Sequence, residues 1–315
     1  MKKLATLVLL LLISFGGTAQ SSKGWKSLKR KVNMFVVSDS GRNGYYDQKT
    51  IAEVMGRMAE KISPDCVVAS GDVHHFDGVQ SVQDPLWMTN FELIYSHPKL
   101  MVKWLPILGN HEYRGNTQAV MDYSNISRRW SMPARYYTKV IKDDGVTVRL
   151  VMIDTTPLIN NYRKSKSEFY AGVKEQDDKA QLEWLEGVLS TATEDWVVVV
   201  GHHPIYADTG KSSKERRDMQ NRVDGILRKY DNVDMYICGH IHNFQHIRKE
   251  GCQIDYVVNS SAARGRDVKK VDGTQFCSGQ TGFSVLAAGK KTLSLHMIDK
   301  SGKVLHTIEK NKNQN

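Results

Sequence analysis

CVVASGDVHH, residues 66–75, is a short apolar run that ends directly in a cluster of glycine, aspartate and histidine. The apolar part has the length and the branched side chains of a buried β-strand. Four other apolar runs end in the same way: MFVVS at 34–38 leads into Asp39-Ser40-Gly41, WLPIL at 104–108 into Gly109-Asn110-His111-Glu112, WVVVV at 196–200 into Gly201-His202-His203-Pro204, and MYIC at 235–238 into Gly239-His240-Ile241-His242.

Helical patterns separate several of these runs. Residues 48–62, 179–189 and 221–230 predict helices, and residues 149–153 (RLVMI) predict one more apolar strand. Strands that are apolar throughout and alternate with helices are typical of sheets covered on both faces. The pattern therefore predicts an α/β fold.

The last part of the chain follows another pattern. Strands are predicted at 254–258, 283–288 and 293–298, and no long helix lies between them. Strands joined by short connections pair antiparallel, so we expect an antiparallel region here. The polar residues 310–315 are expected to fray.

Composition narrows the class of protein. Of 315 residues, 40% are hydrophobic and 25% charged, which excludes disordered, collagen-like and disulfide-dense proteins. We find no repeat, linker or low-complexity segment and predict one domain over residues 20–315. The net charge of +10 favours anionic partners. No motif combines aromatic and basic residues as nucleic-acid-binding proteins do, so no nucleic-acid partner is predicted.

The first nineteen residues have the order of a secretory signal peptide. A cationic start at 1–3 precedes an apolar run at 4–15 and small residues up to Ala19, where cleavage is expected. The run is too short for a permanent bilayer span, and no later run reaches about 18 apolar residues. We expect a secreted or periplasmic protein without stable membrane insertion. The alternative is a buried N-terminal helix.

The four cysteines resemble neither a redox motif nor a zinc motif. Cys66 and Cys238 lie inside apolar strands and are expected to be small buried residues. Cys252 and Cys277 lie outside such strands. Export would permit a disulfide between them, and their spacing leaves the paired and unpaired states equally open.

The polar clusters at the strand ends predict a metal site. One histidine after a strand is usually an ordinary polar residue, but open α/β sheets gather functional groups at the carboxyl ends of their strands, and here five ends carry them. Carboxylate, amide and imidazole groups suit iron and borderline divalent ions. Two ions about 3.5–4 Å apart activate water and stabilise the attacking and leaving oxygens of a phosphoryl group.

The order of motifs, D-x-G, GD-x-x, GNHE, GH-x-P and GH-x-H, resembles the calcineurin-like metallophosphoesterases. It is most similar to the small purple acid phosphatases of the tartrate-resistant type, over nearly the whole mature chain. Further similar segments are YSNISRRW (123–130), MPARYY (132–137), MIDT (152–155), QLEWL (181–185) and CGHIHNFQ (238–245). The resemblance implies a four-layer α/β/β/α sandwich with two mixed β-sheets.

The resemblance also implies a role for each motif residue. His111 would lie at the substrate, as a phosphate contact or as the proton donor to the leaving oxygen, with Asn110 beside it. By the same resemblance His203 and Glu112 are not metal ligands, and both are expected to support the ligands or the fold. The implied metal ligands are Asp39 and His242 for the first ion, Asp72 for both ions, and Asn110, His202 and His240 for the second.

One position departs from the family. Purple acid phosphatases have a tyrosine three residues after the bridging aspartate, and its phenolate holds ferric iron and gives the colour. The broader superfamily uses D-x-H instead. Here the tyrosine position is occupied by His75, and the histidine position of D-x-H is occupied by Gly41. We hypothesise that the His75 imidazole replaces the phenolate, which favours divalent Zn, Mn or Fe over ferric iron and removes the purple colour.

The alternative is that His75 faces the surface or the substrate and the first metal site is weak. His74 corresponds to an apolar family position and is a poorer candidate. A second departure follows Pro204, where mammalian-type members have a histidine near the substrate. Here Lys211 could contact phosphate instead, or it could simply be solvated.

These inferences lead to one expected function. We expect an exported, acid-phosphatase-like enzyme with two metal ions (Fe, Zn or Mn, a divalent pair favoured) that hydrolyses small phosphate monoesters by attack of a metal-bound hydroxide. A phosphodiesterase or nucleotidase of the same superfamily is one alternative. A non-catalytic phosphate-binding protein with an incomplete metal site is the other. The sequence does not predict an oligomeric state.

Overall fold

The computed structural model describes residues 22–312, so the expected signal segment at 1–19 lies outside the described residues. The helices in this part are α1 Ser22–Trp25, α2 Gln48–Ile62, α3 Thr117–Asp122, α4 Asn160–Arg163, α5 Asp178–Thr191, α6 Ser213–Met219 and α7 Gly225–Leu227. The strands are β1 Val32–Val37, β2 Cys66–Ala69, β3 Lys103–Pro106, β4 Tyr137–Asp143, β5 Val146–Met152, β6 Trp196–Val200, β7 Val233–Cys238, β8 Phe244–Ile247, β9 Asp255–Val258, β10 Thr274–Ser278, β11 Gly282–Ala288, β12 Thr292–Asp299 and β13 Val304–Asn311.

Two mixed sheets form the body of the protein. The six-stranded sheet has the order β13-β12-β11-β1-β2-β3, in which β1, β2 and β3 are parallel and the other three are antiparallel. The seven-stranded sheet has the order β10-β8-β9-β7-β6-β5-β4, with a parallel centre of β5, β6, β7 and β9. This confirms the predicted α/β class with two mixed sheets.

The apolar strands are the buried centre of this arrangement. Every residue of β1, β2 and β6 is buried. The helix α2 buries Ile51, Met55 and Ile62 on one face and ends where Ser63 adopts a left-handed conformation (φ 54°). No helix in the described part of the chain is both long and apolar enough to cross a bilayer.

The carboxyl ends of the parallel strands of both sheets meet. Ser38, just after β1, forms a bridge with Ser261 of the other half of the molecule. The main chain of Asp39 donates to Gly71 O (3.0 Å), and a ring nitrogen of His202 lies 2.8 Å from Ser70 O. The polar residues that follow five separate strands are therefore brought to one place.

Several expectations about the elements differ from the structure. The strand at 254–258 was expected in an antiparallel region, but as β9 it pairs parallel with β7 and antiparallel with β8. The expected helix at 221–230 is part of a longer helical stretch that begins at Ser213 and passes through a π-helical segment, Gln220–Asp224. The strands β4, β10 and β13 were not predicted, because exposed and polar residues interrupt their apolar pattern. The strand β8 is fully buried but was not predicted either, because Gln245 and His246 interrupt its apolar pattern. Lys310 and Asn311 do not fray, since both pair with β12 at the sheet edge.

The cysteines are all unpaired in the described structure. Cys66 and Cys238 are buried in strands, as predicted. The Cys252 sulfur lies 3.5 Å from the Tyr256 hydroxyl, and neither Cys252 nor Cys277 is in a disulfide.

Candidate metal centre

Strained backbone marks the residues that follow the strands. Asp39, Asp72, His240 and His242 all have positive φ angles, of 49°, 54°, 74° and 62°. Non-glycine residues rarely adopt this left-handed region, and such residues concentrate at functional sites. The strain turns the chain sharply at the end of each strand, so that its polar side chains stay at the junction of the sheets.

The glycines that introduce these clusters allow the strand ends to approach closely. A Cβ at Gly109 would lie 2.2 Å from Asp72 Oδ1, and one at Gly239 would lie 1.6 Å from the Ser38 hydroxyl oxygen. At Gly71, where φ is 90°, a Cβ would lie 2.5 Å from His202 Nδ1. A side chain at any of these positions would displace a residue of the site.

Asp39, His75 and His242 form the first group, with one ligand atom from each lying within 4.8 Å of the others. Asp39 Oδ2 accepts hydrogen bonds from the Ser38 hydroxyl (2.5 Å) and the His240 main chain (2.8 Å). Asp39 Oδ1 lies 3.2 Å from His242 Nε2 but accepts no hydrogen bond from the described residues. Asp39 Oδ1 and His242 Nε2 are therefore two buried, adjacent atoms that could bind the same metal ion.

His202 and His240 form the second group, to which Asn110 is also expected to belong. His202 Nε2 lies 3.2 Å from Asp72 Oδ2 and 3.2 Å from His240 Nδ1. Asn110 is buried at the end of the segment after β3, and its carbonyl oxygen has no hydrogen-bond donor in the described part of the chain. An unpartnered buried amide oxygen of this kind fits a metal ligand, because burial without a partner is costly.

Asp72 lies between the two groups. Its Oδ2 atom is 3.2 Å from His202 Nε2, 3.5 Å from His75 Nε2 and 3.8 Å from His111 Nε2. One oxygen of Asp72 also lies within 4.8 Å of ligand atoms of Asp39 and His202. The Asp72 carboxylate therefore lies close to ligand atoms of both the first and the second group.

His75 is buried rather than on the surface. Its side chain is 1% exposed, and neither ring nitrogen forms a hydrogen bond with any described residue. A buried imidazole normally finds a partner for at least one nitrogen. The structure therefore brings His75 into the first group, together with Asp39 and His242.

His111 lies at the mouth of the site. Its main-chain N–H donates to Asp72 Oδ1 (2.9 Å), and its Nδ1 atom lies 2.5 Å from the carbonyl oxygen of Phe76. The side chain is 14% exposed, unlike the fully buried histidines behind it. His111 is thus fixed by the backbone on one side and open to solvent on the other.

Lys211 lies against the second group and is not an ordinary solvated lysine. Its ammonium nitrogen lies 3.0 and 3.2 Å from the two ring nitrogens of His240. Burial lowers the pKa of Lys211, and the charges of Asp72 and Asp39 partly oppose this. Glu215 Oε2 lies 3.2 Å from His240 Nε2. Sequence reasoning missed Glu215, because it follows no strand and stands among exposed charged residues.

His203 and His74 have partners other than a metal site. The ring nitrogens of His203 lie 2.7 Å from the Thr155 hydroxyl and 3.3 Å from the Tyr162 hydroxyl, although one of them is also within 4.8 Å of His202 and His240. The His74 ring packs edge-on against Trp87, with 4.4 Å between centroids. The expectations that His203 is not a ligand and that His74 is a poorer candidate than His75 stay predictions.

Glu112 holds two of the strand ends together. Its carboxylate accepts from the main-chain N–H groups of Asp72 (2.9 Å), His74 (3.0 Å) and Gly109 (2.7 Å). Burial, with the nearby Asp72 charge, raises the pKa of Glu112 to about 7. Glu112 is therefore a positioning residue that holds the segments after β2 and β3 together.

The electrostatics of the site favour a cation. Burial disfavours protonation of His202, but the Asp72 carboxylate outweighs this and raises the pKa of His202 to about 9. Burial likewise opposes ionisation of Asp72, yet the surrounding histidines hold its pKa well below the usual range. Two carboxylates, an amide and several imidazoles without thiolate form a donor set that fits two divalent ions.

Known proteins share this fold and these motifs. The family model for calcineurin-like phosphoesterases matches residues 33–244. Purple acid phosphatase 4 of Arabidopsis thaliana is 30% identical over 293 residues, which cover 89% of this chain and 84% of that protein. Tartrate-resistant acid phosphatase type 5 of Rattus norvegicus is 30% identical over 274 residues, which cover 81% of each.

Solved structures add support for the fold. The structure described as GAP50, the anchor in the inner membrane complex of Plasmodium, has a TM-score of 0.75 and 21% identity over 90% of this chain and 89% of that one. At this identity the likeness supports the fold alone.

The chain belongs to the calcineurin-like phosphoesterase family. Within that family its relatives are purple acid phosphatases and tartrate-resistant acid phosphatases, and the protein is accordingly a metal-dependent phosphatase.

We predict that Glu112→Gln lowers the free energy of unfolding by about 1–3 kcal/mol at pH 8, because the amide leaves at least one buried N–H group without its acceptor. Urea denaturation measures the loss. Glu53→Gln, on the exposed face of α2, is the control and should change stability by less than about 0.5 kcal/mol. Equal stability of Glu112→Gln and the unsubstituted protein would show that Glu112 does not hold the loops.

Proposed function

We propose that this protein hydrolyses phosphate monoesters at a dinuclear metal centre. The observation that carries the proposal is the position of the Asp72 carboxylate between two groups of buried ligand atoms. The residues that would hold the first ion are Asp39, Asp72, His75 and His242, and those that would hold the second are Asp72, Asn110, His202 and His240.

Bound ions would lower the pKa of water toward neutrality and offset the charge of the phosphate oxygens. The protein's own residues supply the rest of the chemistry. His111, at the open side of the site, donates a proton to the leaving oxygen, and its ring is oriented by the Phe76 carbonyl. Lys211 contacts a phosphate oxygen through its partly buried ammonium group, and Asn110 lies beside the reacting group.

His75 takes the place of the family's phenolate in this proposal. Its burial and its unpartnered ring nitrogens support a ligand role over a surface role. A neutral nitrogen donor in place of an anionic oxygen favours a divalent pair, so Zn, Mn or Fe(II) is expected and ferric iron is not.

We also propose that the substrate meets the enzyme outside the cytoplasm. The support is the signal-peptide pattern of residues 1–19, followed by one catalytic domain over 20–315. The chain keeps a net charge of +8 without Lys2 and Lys3, which suits small anionic substrates.

The test of the proposed function compares two esters with the metal-loaded protein. We expect faster hydrolysis of p-nitrophenyl phosphate than of bis-(p-nitrophenyl) phosphate, and a loss of about 100-fold or more in kcat/KM for Asp72→Asn. Faster diester hydrolysis would make the protein a phosphodiesterase. Absence of metal-dependent hydrolysis of either ester would leave a phosphate-binding protein.

For His75 we predict that His75→Ala binds one metal ion per chain instead of two, as measured by elemental analysis. The control is His97→Ala, because His97 lies beside Glu60 and away from the centre. His75→Tyr restores the family's phenolate, so its iron-loaded form should gain a visible absorption band. A His75→Ala protein that keeps both ions and full activity would refute the ligand role.

For Lys211 we predict that Lys211→Ala lowers kcat/KM for phosphate monoesters by about 10-fold or more, because a charge-assisted hydrogen bond to phosphate is lost. Inhibition by inorganic phosphate should weaken in parallel. Lys214→Ala removes an exposed lysine on α6 and should leave both quantities unchanged. Equal kinetics of the Lys211 and Lys214 variants would contradict the phosphate contact.

A further inference from the structure

An open cavity lies directly beside the first group of ligand atoms. It has a volume of about 430 Å³ and is lined by Arg42, Asn43, Tyr45, Tyr46, His75 and Phe76. Sites for small molecules usually measure about 300–1,000 Å³. His75 belongs both to the cavity wall and to the first group, so the cavity adjoins the candidate metal centre.

The cavity holds most of the exposed aromatic surface of the described chain. Tyr45, Tyr46 and Phe76 are 73%, 61% and 62% exposed. The only other exposed large aromatic side chain in residues 22–312 is Phe169, which is 51% exposed and is not part of the cavity. Clustered exposed aromatic groups are typical of a binding surface.

Arg42 adds a cation to this aromatic wall. The residue is buried, and its guanidinium carbon lies 4.7 Å from the centre of the Phe76 ring. Its Nε atom is buried and donates no hydrogen bond to any residue the structure describes. The guanidinium therefore has an unused donor beside the ring, where it can contact an aromatic group or an anionic oxygen.

The loop that carries the two tyrosines is held in place by buried side chains. Gln48 Oε1 accepts from the main chain of Arg42 (3.1 Å) and Gly44 (2.8 Å), and Asn90 Oδ1 accepts from the main chain of Asn43 (2.6 Å). Both acceptor residues are fully buried. The loop is therefore fixed before a ligand binds, which reduces the entropic cost of binding.

The cavity lies on the side where the leaving group of a phosphate ester would be. The Phe76 carbonyl contacts His111, the proposed proton donor to the leaving oxygen, and the Phe76 ring lies 6.2 Å from the His111 ring. A proton donor must lie close to the oxygen that it protonates. The organic part of the substrate would thus extend past His111 toward Phe76 and the tyrosines.

We infer that this cavity binds a planar aromatic group of the substrate, and that Tyr45, Tyr46 and Phe76 determine a preference for phosphate monoesters that carry one. The inference rests on the proposed function, since it places the reacting phosphate at the metal centre. A nucleobase and an aryl ring present the same flat π-face, and either would stack on these side chains.

The test uses two esters with the same kind of leaving group. Adenosine 5′-monophosphate and ribose 5-phosphate both release a primary alkoxide, so a difference between them reports the base. We expect kcat/KM to be at least about fivefold higher for the nucleotide, and Tyr45→Ala to remove that preference. Phe169→Ala is the matched control and should keep it.

Phenyl phosphate distinguishes the two sources of the aromatic group. Tyr45→Ala could lower kcat/KM for phenyl phosphate more than for ribose 5-phosphate and leave the ratio between the nucleotide and ribose 5-phosphate unchanged. That result would identify aryl esters as the ligands. Phe76→Leu is a second variant, which keeps the backbone carbonyl near His111 while removing the ring. Thermal unfolding checks that both variants are folded.

The inference is overturned if neither variant changes the relative rates of the three esters. Continued hydrolysis of ribose 5-phosphate would then show that the protein is a phosphomonoesterase even though the cavity does not select aromatic esters. If no ester is hydrolysed, calorimetric binding of adenosine 5′-monophosphate and ribose 5-phosphate still decides the question. Tighter binding of the nucleotide that Tyr45→Ala removes would support the cavity, and equal affinities would refute it.

Discussion

The position of the Asp72 carboxylate is the constraint on which the rest of the site depends. Its two oxygens contact His202, His75 and the main chain of His111, which come from three different parts of the chain. Asp72 can reach them because its backbone is left-handed and its N–H group is held by Glu112. Removing either support would move the Asp72 carboxylate away from the imidazole and N–H groups that it now contacts.

The apolar pattern of the sequence predicts the central strands of both sheets but not the outer strands. The parallel strands β1, β2, β6 and β7 were predicted, because each contains an apolar run followed by polar residues. The strand β9 was expected in an antiparallel region, but it pairs parallel with β7. The outer strands β4 and β10 have exposed and half-buried residues, and only their pairing with β5 and β8 makes them strands. The short polar tail after Ile308 gave no strand signal either, although its backbone pairs with β12.

Some residues of the candidate site were also predicted from the sequence, and others were not. Residues that follow strands, such as Asp39 and Asn110, were predicted because the topology gathers strand ends, and the family resemblance assigned their roles. Glu215 and Arg42 were missed, because their importance arises only from contacts made by the folded chain. The aromatic wall was missed for a similar reason, since Tyr45 and Phe76 are 31 positions apart and nothing in the sequence links them.

The central claim is that Asp72 lies between two cations, one of which also contacts His75. Anomalous diffraction from crystals of the metal-loaded protein tests it most directly. We predict two anomalous peaks on opposite sides of the Asp72 carboxylate, one within bonding distance of His75 and His242 and the other near Asn110 and His202. A single peak, or a first peak that His75 does not contact, would contradict it.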